Sequence, residues 1–506
     1  MGIVFRQSVK TSVVVVGGAM LGALVIWLST KYIANKQEFG FTRNLTNNAV
    51  LLSQMLMLGA NSSLFMYVHK YENDSGKRRV LVTLSLVVPL LAAIIFSAFY
   101  FIYRDQILQL FQPVDRVLMS RYFAWLPLFT ILFLYMTILE QYLGSQMKVA
   151  VAAFMREILL RILNILLIVA YAFGYVNFDI LIAGTVLLYL VPLLIIWSIC
   201  RKTKDFSFSM DFKAFTRSEY KEMGHFAWFH YLLSMSITLM TALDANLLPL
   251  YDKDGFNSLA VYAVAAYLIS FLQIPLKAFL PATFSVLTKA FTDNDMPRAK
   301  DFFKRSSINL LIPTLAIAFI LCCNLDNAVA VIGNQKNYSG MSDVVFILTL
   351  GQLVNIVTGM NDQILSITNY YKFSFYVSVI ISLLLYVLLR TMIPRYGIYG
   401  AAWSNTATLV LFNVVKLIFI HRKLGMLPFS MRTLRVILAA LPALAVGYFL
   451  PRFFGTLSNV YLSAMADAAV RSIAIVVVYV AMLLWLKPSA DLEEYLATVR
   501  KNKRLF

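Results

Sequence analysis

The chain alternates between long apolar stretches and short polar connections. Each apolar stretch is about twenty residues long, which is the length that a helix needs to cross a bilayer. We predict fourteen such helices, with centres near residues 20, 56, 91, 133, 160, 189, 237, 270, 317, 354, 383, 410, 444 and 476. The pattern therefore predicts an all-α polytopic membrane protein.

The composition supports a membrane protein and excludes a soluble one. Hydrophobic residues make up 60% of the 506 residues, whereas an ordinary globular domain has roughly 45–50%. The formal net charge of +19 could indicate a nucleic-acid-binding protein. However, the basic residues lie in brief loops beside apolar spans and form no separate polar domain, so we expect no nucleic-acid partner.

The basic residues also predict the orientation of the chain. Cytoplasmic loops of membrane proteins carry an excess of Lys and Arg. Under strict alternation of the spans, five basic clusters lie on the same side: Lys77, Arg78, Arg79; Arg201, Lys202, Lys204; Arg298, Lys300, Lys304, Arg305; Arg422, Lys423; and Arg500, Lys501, Lys503, Arg504. We therefore predict that both termini are cytoplasmic.

The longest basic connection divides the chain into lobes. We predict an N-lobe of helices one to six at residues 1–200, a basic cytoplasmic linker at 201–223, a C-lobe of helices seven to twelve at 224–424, and two extra helices with a basic tail at 425–506. Because each lobe has an even number of helices, both lobes have the same topology, as parallel repeats do.

Polar side chains share one face on several predicted helices. The faces consist of Asn47, Gln54 and Asn61 on helix two; Glu157, Arg161 and Asn164 on helix five; His230, Ser234, Thr238, Thr241 and Asp244 on helix seven; Ser270, Gln273 and Lys277 on helix eight; and Gln352, Asn355, Asp362 and Ser366 on helix ten. Polar groups in hydrocarbon are costly unless they meet a partner or water. We expect these faces to line a shared wet cleft; the alternative is that they pack helices together.

The charged residues on these faces suggest different roles. Lys277 has no acid nearby in its own helix, so we expect it to contact an anionic substrate. Asp244 and Asp362 are candidates to bind a coupling ion or to pair with a base. Glu157 and Arg161 are four residues apart and could neutralise each other.

The sequence contains no sign of enzymatic or metal chemistry. Three cysteines lack the paired spacing of a metal site or a disulfide framework, and no phosphate-binding loop of the G-x-x-x-x-G-K-[ST] type occurs. We expect no catalytic residues, no metal and no cofactor.

Several segments resemble a known family. The opening MGIVFRQSVK, the segment Gln37 to Arg43 and the run Met57 to Asn61 look like oligosaccharide flippases of the kind found in Bacteroidetes. These are members of the multidrug, oligosaccharidyl-lipid and polysaccharide exporter superfamily. Gly397 to Ala402, which opens helix twelve, is similar to a start common in that superfamily, and Asp244 followed by Val261 and Tyr262 resembles its region of helices seven and eight.

The resemblance implies two six-helix lobes in a V around a central cavity, two additional helices and alternating access. Related multidrug antiporters often carry an acid in the first helix, but residues 11–30 contain none. Peptidoglycan-precursor flippases carry basic residues in helices one and two, which these apolar cores also lack. Both departures argue against those two subtypes.

The resulting hypothesis is a flippase for undecaprenyl-diphosphate-linked oligosaccharide in a bacterial inner membrane, where it serves polysaccharide biosynthesis. Lys277 and Arg161 would hold the diphosphate. The sugar would contact Gln273, Asn47, Gln54, Asn61, His230, Ser234 and Thr241, and Asp244, Asp362 and Glu157 are candidates for coupling to H⁺ or Na⁺. Membrane lipids and other polysaccharide-assembly proteins are the expected partners.

Three alternatives remain open from the sequence. An ion-coupled exporter of small cationic drugs would have a cavity lined by acids. A membrane-embedded glycosyltransferase or ligase would turn over sugar donors, although no loop has room for a soluble catalytic domain. A scaffold without transport activity would lack a continuous cavity.

Overall fold

The computed structural model describes residues 2–33, 35–71, 74–146, 148–203, 206–332, 338–358, 360–368, 370–451, 459–487 and 489. These residues form helices and connecting turns, with no strand among them. The all-α prediction is confirmed. Of the predicted basic clusters, Lys204 and the group Arg500, Lys501, Lys503 and Arg504 lie outside the described residues.

Ten helices in the described ranges are long and apolar enough to cross a membrane, and the number is up to twelve if each of two bent helix pairs counts as one span. This confirms a polytopic membrane protein. The count of fourteen stays a prediction. One helix of 54 residues contains two of the predicted centres, 383 and 410, so the count depends on where such a helix is divided.

The first of two compact units comprises Met1–Ala263 and Ser382–Ala401. Its helices are α1 (Gly2–Tyr32), α2 (Lys36–Leu56), α3 (Ala60–Lys70), α4 (Ser75–Ile102), α5 (Arg104–Leu110), α6 (Arg116–Arg121), α7 (Trp125–Ser145), α8 (Val149–Phe154), α9 (Leu160–Ala172), α10 (Phe178–Leu187), α11 (Leu190–Arg201) and α12 (Arg217–Tyr251). A π-helical turn, Met155–Leu159, joins α8 to α9, and a 3₁₀ turn, Phe212–Ala214, precedes α12.

Helix α7 forms the centre of the first unit. It packs against α2, α3, α4 and α11, and Leu134, Met136 and Tyr142 on it are fully buried. The helix is predominantly apolar, which is typical of a span surrounded by other helices. It therefore holds the surrounding helices of this unit in place.

The second compact unit comprises Val264–Ile381 and Ala402–Phe506. Its helices are α13 (Phe256–Ser270), which begins in the first unit, α14 (Ile274–Thr292), α15 (Met296–Cys323), α16 (Leu325–Ile332), α17 (Met341–Val357), α18 (Asn361–Ile367), α19 (Tyr371–Leu424), of which Ser382–Ala401 belongs to the first unit, α20 (Met431–Phe449) and α21 (Val460–Leu486). A 3₁₀ turn, Phe271–Gln273, joins α13 to α14.

The two units group the chain differently from the predicted lobes. Helix α12 opens the predicted C-lobe at 224–424, yet it lies in the first unit. Within that unit α12 packs against α2 and α3. The lobe boundaries stay a prediction.

Two glycines bring α2 and α3 against the backbone of neighbouring segments. A Cβ on Gly40 would lie 1.8 Å from the carbonyl oxygen of Phe256, and one on Gly59 would lie 2.2 Å from that of Ala227. Leu58 and Gly59 have φ values of 49° and 78°, and α2 and α3 are bent by 57° at this point. Only glycine permits both the positive φ and the close approach at 59.

Helix α19 changes direction at Gly397, where φ is 56° and ψ is −132°. An L-residue does not adopt this combination without strain. A Cβ at this position would also lie 2.8 Å from Oδ2 of Asp252. Gly397 therefore both bends the helix and lets it pass close to the end of α12.

Candidate functional site

The π-helical turn at Met155–Leu159 and the first turn of α9 carry a pair of charged residues beside α1. Oε2 of Glu157 lies 2.5 Å from Nη2 of Arg161, and Arg161 also donates through Nη1 to the carbonyl oxygen of Gly18. A Cβ on Gly18 would lie 2.8 Å from that of Glu157, so glycine permits this approach. The predicted i,i+4 neutralisation is what the structure contains.

A second ion pair involves Arg156, the neighbour of Glu157 on the same π-helical turn. Arg156 donates through Nε to Oε1 of Glu140 at 3.0 Å, and its Nη2 contacts Oγ1 of Thr137 at 3.0 Å. Glu140 and Thr137 belong to α7, so this pair joins α7 to the π-helical turn. Sequence reasoning did not place these residues together, because nothing in their spacing shows that the two helices are neighbours.

The polar face predicted for helix two crosses the break between α2 and α3. Asn47 and Gln54 lie on α2, whereas Asn61 lies on α3 beyond the bend of 57°. All three side chains are half-buried. The bend therefore separates Asn61 from the other two side chains, so the three do not share one face of a single straight helix.

The polar residues of α12 differ in their surroundings. His230 is exposed and its ring packs against that of Phe226 in a tilted arrangement, with 4.2 Å between centroids. Ser234 is half-buried, and the exposed Thr241 donates to the carbonyl oxygen of Ile237 in its own helix. By contrast Asp244 is buried and accepts a 2.5 Å hydrogen bond from the hydroxyl of Tyr262.

Gln273 and Lys277 lie on either side of the start of α14. Gln273 ends the 3₁₀ turn and is half-buried, and Lys277 is exposed in the first turns of α14. No ion pair of Lys277 is found in the described part of the chain. It differs in this respect from Arg161, which has its own acid.

Asp362 pairs with Lys416, a lysine on α19. Nζ of Lys416 lies 2.9 Å from Oδ1 of Asp362 and 3.5 Å from the centroid of the Phe412 ring. The side chain of Lys416 is only 1% exposed, whereas that of Asp362 is 55% exposed. Lys416 is therefore a buried cation with a partly exposed carboxylate within hydrogen-bond distance.

Hydrogen bonds between polar side chains also join α17 to α19. The hydroxyl of Thr358 donates to Oδ1 of Asn413 at 2.8 Å. Nδ2 of Asn413 donates to Oδ1 of Asn355 at 3.1 Å, and Asn355 in turn donates to Gln352. Part of the polar face predicted for helix ten therefore joins two helices, as the packing alternative expects.

A polar cavity of about 440 Å³ lies at the ends of α16 and α21 in the second unit. Asp467 at its wall is buried and accepts from Asn327 and Arg471. Arg471 also donates to the carbonyl oxygen of Gly447 at 2.5 Å. The pair Asp467 and Arg471 thus ties α16, α20 and α21 together.

A buried carboxyl lies outside the spans, in the turn before α6. Asp115 is 1% exposed; it accepts from Nε2 of Gln37 at 2.8 Å and from the backbone N–H of Phe256 at 2.9 Å. Burial raises the pKa of this carboxyl, and the two hydrogen bonds oppose the rise. Asp115 thereby joins the starts of α2, α6 and α13 within the first unit.

Each of the contacts that involve the predicted charged residues joins two residues of the same unit. These contacts are Glu157 with Arg161, Asp244 with Tyr262, and Asp362 with Lys416. Among the described residues no group of three or more His, Cys, Asp or Glu side chains could hold a metal ion.

No family model and no curated protein sequence matches the chain. Solved structures do. A structure described as the lipid II flippase MurJ in an inward closed conformation aligns with a TM-score of 0.63 and 16% identity over 95% of this chain and 99% of its own. The inward-facing conformation of a multidrug resistance MATE family transporter of the MOP superfamily aligns with 0.62 and 13% identity over 82% and 98%.

A third structure is a MOP superfamily transporter from Pyrococcus furiosus, whose description states that the reverse polarity of its binding pocket suggests a different function. It aligns with a TM-score of 0.58 and 13% identity over 84% of this chain and 95% of its own. At these identities the likeness shows the fold: the chain is folded like transporters and flippases of this superfamily.

Proposed function

We propose that this protein is a flippase that moves an undecaprenyl-diphosphate-linked oligosaccharide across the bacterial inner membrane by alternating access. Its fold is that of proteins described as a lipid II flippase and as multidrug transporters. The proposal places the lipid tail in the bilayer and the sugar among the polar side chains of the spans.

Lys277 carries the proposal. An isolated charge in the bilayer core costs about 2.5–3.5 kcal/mol on insertion scales, so an intramembrane cation without an acid indicates a functional contact. Lys277 is exposed on the apolar segment Phe256–Leu280 and has no ion pair among the described residues. A lipid diphosphate is an anion that would supply the missing charge.

Arg161 has a lesser role in this proposal than Lys277. Its guanidinium already contacts Glu157 and the carbonyl oxygen of Gly18. Arg161 could still donate to a phosphate because guanidinium has five N–H donors in a planar fork. Its net charge, however, is offset by Glu157, so we expect its replacement to weaken transport less than replacement of Lys277.

The test is deletion of the gene followed by mass spectrometry of lipid-linked intermediates. We expect a complete lipid-linked glycan to accumulate on the cytoplasmic side; an unchanged pool would contradict the proposal. Lys277→Ala should reduce glycan output at least tenfold at normal protein level, and Lys277→Arg should restore part of it. Lys253→Ala is the matched control, because Lys253 is an exposed cation in the turn after α12, outside the spans.

A drug exporter is the second candidate, because MATE transporters have the same fold. The exposed face of the Asp362 carboxylate is the observation that favours it, since an acid attracts cationic compounds. The two functions are distinguished by the same deletion strain. Hypersensitivity to cationic drugs with an unchanged lipid-linked pool would support the exporter.

A further inference from the structure

The ammonium group of Lys416 occupies the place that a free cation would take beside Asp362. Its Nζ lies 2.9 Å from Oδ1 of Asp362 and 3.5 Å from the centroid of the Phe412 ring. A carboxylate and the face of an aromatic ring are both ligands for a monovalent cation. The surroundings of Nζ are therefore those of a cation site that is filled by the chain itself.

This pair lies at a break in a membrane span. Helix α17 ends at Val357 and α18 begins at Asn361, with a bend of 40° between them. Broken helices within a membrane expose backbone groups that commonly bind ions or substrate. Asp362 lies in the first turn of α18, so its carboxylate belongs to the break.

The side chain next to Asp362 supports a ligand site at this break. Asn361 is 1% exposed, and neither its amide nitrogen nor its carbonyl oxygen has a hydrogen-bond partner among the described residues. A buried amide without partners costs free energy. Such a group is expected where the segment can rearrange or where a ligand supplies the partner.

The two members of the pair differ in how firmly they are held. The helix of Lys416 is fixed by Asn413, which bonds to Thr358 and Asn355, and Lys416 is almost wholly buried. Asp362 is more than half exposed on a helix of seven residues. If the segment moves, the carboxylate moves and the ammonium stays.

We propose that Lys416 is a tethered counter-cation that replaces an inorganic coupling ion at Asp362, and that its removal creates a binding site for Na⁺. A second monovalent cation on the buried side of Asp362 would lie at short range from the ammonium of Lys416, which is 1% exposed, and like charges repel strongly in such a place. Na⁺ therefore does not bind there in the natural chain. The role of Lys416 as a substitute for a coupling ion rests on the proposed transport function. The predicted Na⁺ binding does not depend on that function.

The experiment measures binding of ²²Na⁺ to the purified full-length protein in detergent, with choline chloride holding the ionic strength constant. We expect no saturable binding to the natural protein or to Lys416→Arg, which keeps the charge. Lys416→Met, which keeps most of the stem beside Phe412, should bind about one Na⁺ per chain, at least about tenfold more than the natural protein at the same Na⁺ concentration. Its melting temperature should rise with Na⁺.

Further variants identify the carboxylate as the ligand. The double variant Lys416→Met with Asp362→Asn should lose the Na⁺ binding, because it lacks both charges. Lys277→Met should not gain any, because it removes a cation that has no acid partner among the described residues. Lys416→Gln serves as a second neutral variant where Lys416→Met is not recovered folded.

Two results would overturn the inference. One is saturable Na⁺ binding to the natural protein that Asp362→Asn abolishes, since an external ion would then coexist with Lys416. The other is a folded neutral variant at 416 that binds no Na⁺. Both readouts are independent of glycan transport, so a failure here leaves the flippase proposal standing, and a failure of the flippase test leaves these binding results valid.

Discussion

Single residues decide which charges inside the spans are available to a substrate. Arg161, Arg156 and Lys416 each have a carboxylate within hydrogen-bond distance. Pairing offsets much of the cost of burying a charge, because the partner supplies what water would supply outside the membrane. Lys277 has no such carboxylate among the described residues, which is why the proposed function assigns the anion to it.

The contact of α1 with the π-helical turn should be sensitive to one methyl group. Gly18→Ala would place a Cβ 2.8 Å from that of Glu157, whereas Gly17→Ala would place one 3.6 Å from Ile158. We expect Gly18→Ala to destabilise the protein by about 1–3 kcal/mol through overpacking, and Gly17→Ala to have little effect. Melting temperatures in detergent would measure this. Equal melting temperatures for the two variants would contradict the packing.

Asp115 should make stability depend on pH. Burial raises the folded-state pKa of Asp115. Between the ordinary carboxyl pKa and this raised pKa, the unfolded chain is ionised at Asp115 while the folded chain keeps the proton. The stability that this difference in pKa contributes is present below the unfolded pKa and is lost as pH rises through the folded pKa. We expect the melting temperature of the natural protein to fall with rising pH more steeply than that of Asp115→Asn. Parallel curves would remove Asp115 from this role.

Sequence spacing predicted the contacts within one helix but missed those between helices. Glu157 and Arg161 are four residues apart, so helical geometry alone brings them together. Asp362 and Lys416 are 54 residues apart, and no spacing shows that α18 and α19 bring them within 3 Å. For the same reason, the sequence did not predict the contact between Arg156 and Glu140.

At the scale of elements, the interruptions of the helices were harder to predict than the helices. Apolar length predicted the spans because the bilayer imposes it. At the break a Cβ on Gly59 would lie 2.2 Å from the carbonyl oxygen of Ala227, and that carbonyl belongs to another helix. A pattern along one segment carries no information about such a neighbour.

The bend of α19 should depend on Gly397. Gly397→Ala introduces both an unfavourable backbone conformation and a contact of 2.8 Å with Asp252. Gly174 also has a positive φ, but a Cβ there would meet nothing within 4 Å. We expect Gly397→Ala to lower the melting temperature and transport clearly more than Gly174→Ala. If the two variants behave alike, the contact with Asp252 has no influence.

At the scale of the whole molecule, the alternation of basic loops predicts which side each connection faces. In a variant without Cys200, Cys322 and Cys323, a cysteine at Lys253 should react with a membrane-impermeant maleimide in intact cells. A cysteine at Asp74 should react only after the membrane is permeabilised, because it adjoins the basic cluster at Lys77. Reaction of Asp74→Cys from outside would reverse the orientation.

The π-helical turn at Met155–Leu159 has a consequence for comparing this chain with distant relatives. It accommodates one more residue than an α-helical turn, which rotates every later side chain of α9 by about 100° about the axis. A gapless alignment of this segment with an uninterrupted helix would therefore match side chains that point in different directions. Residues after Leu160 should be equated only after one position has been left unmatched within the turn.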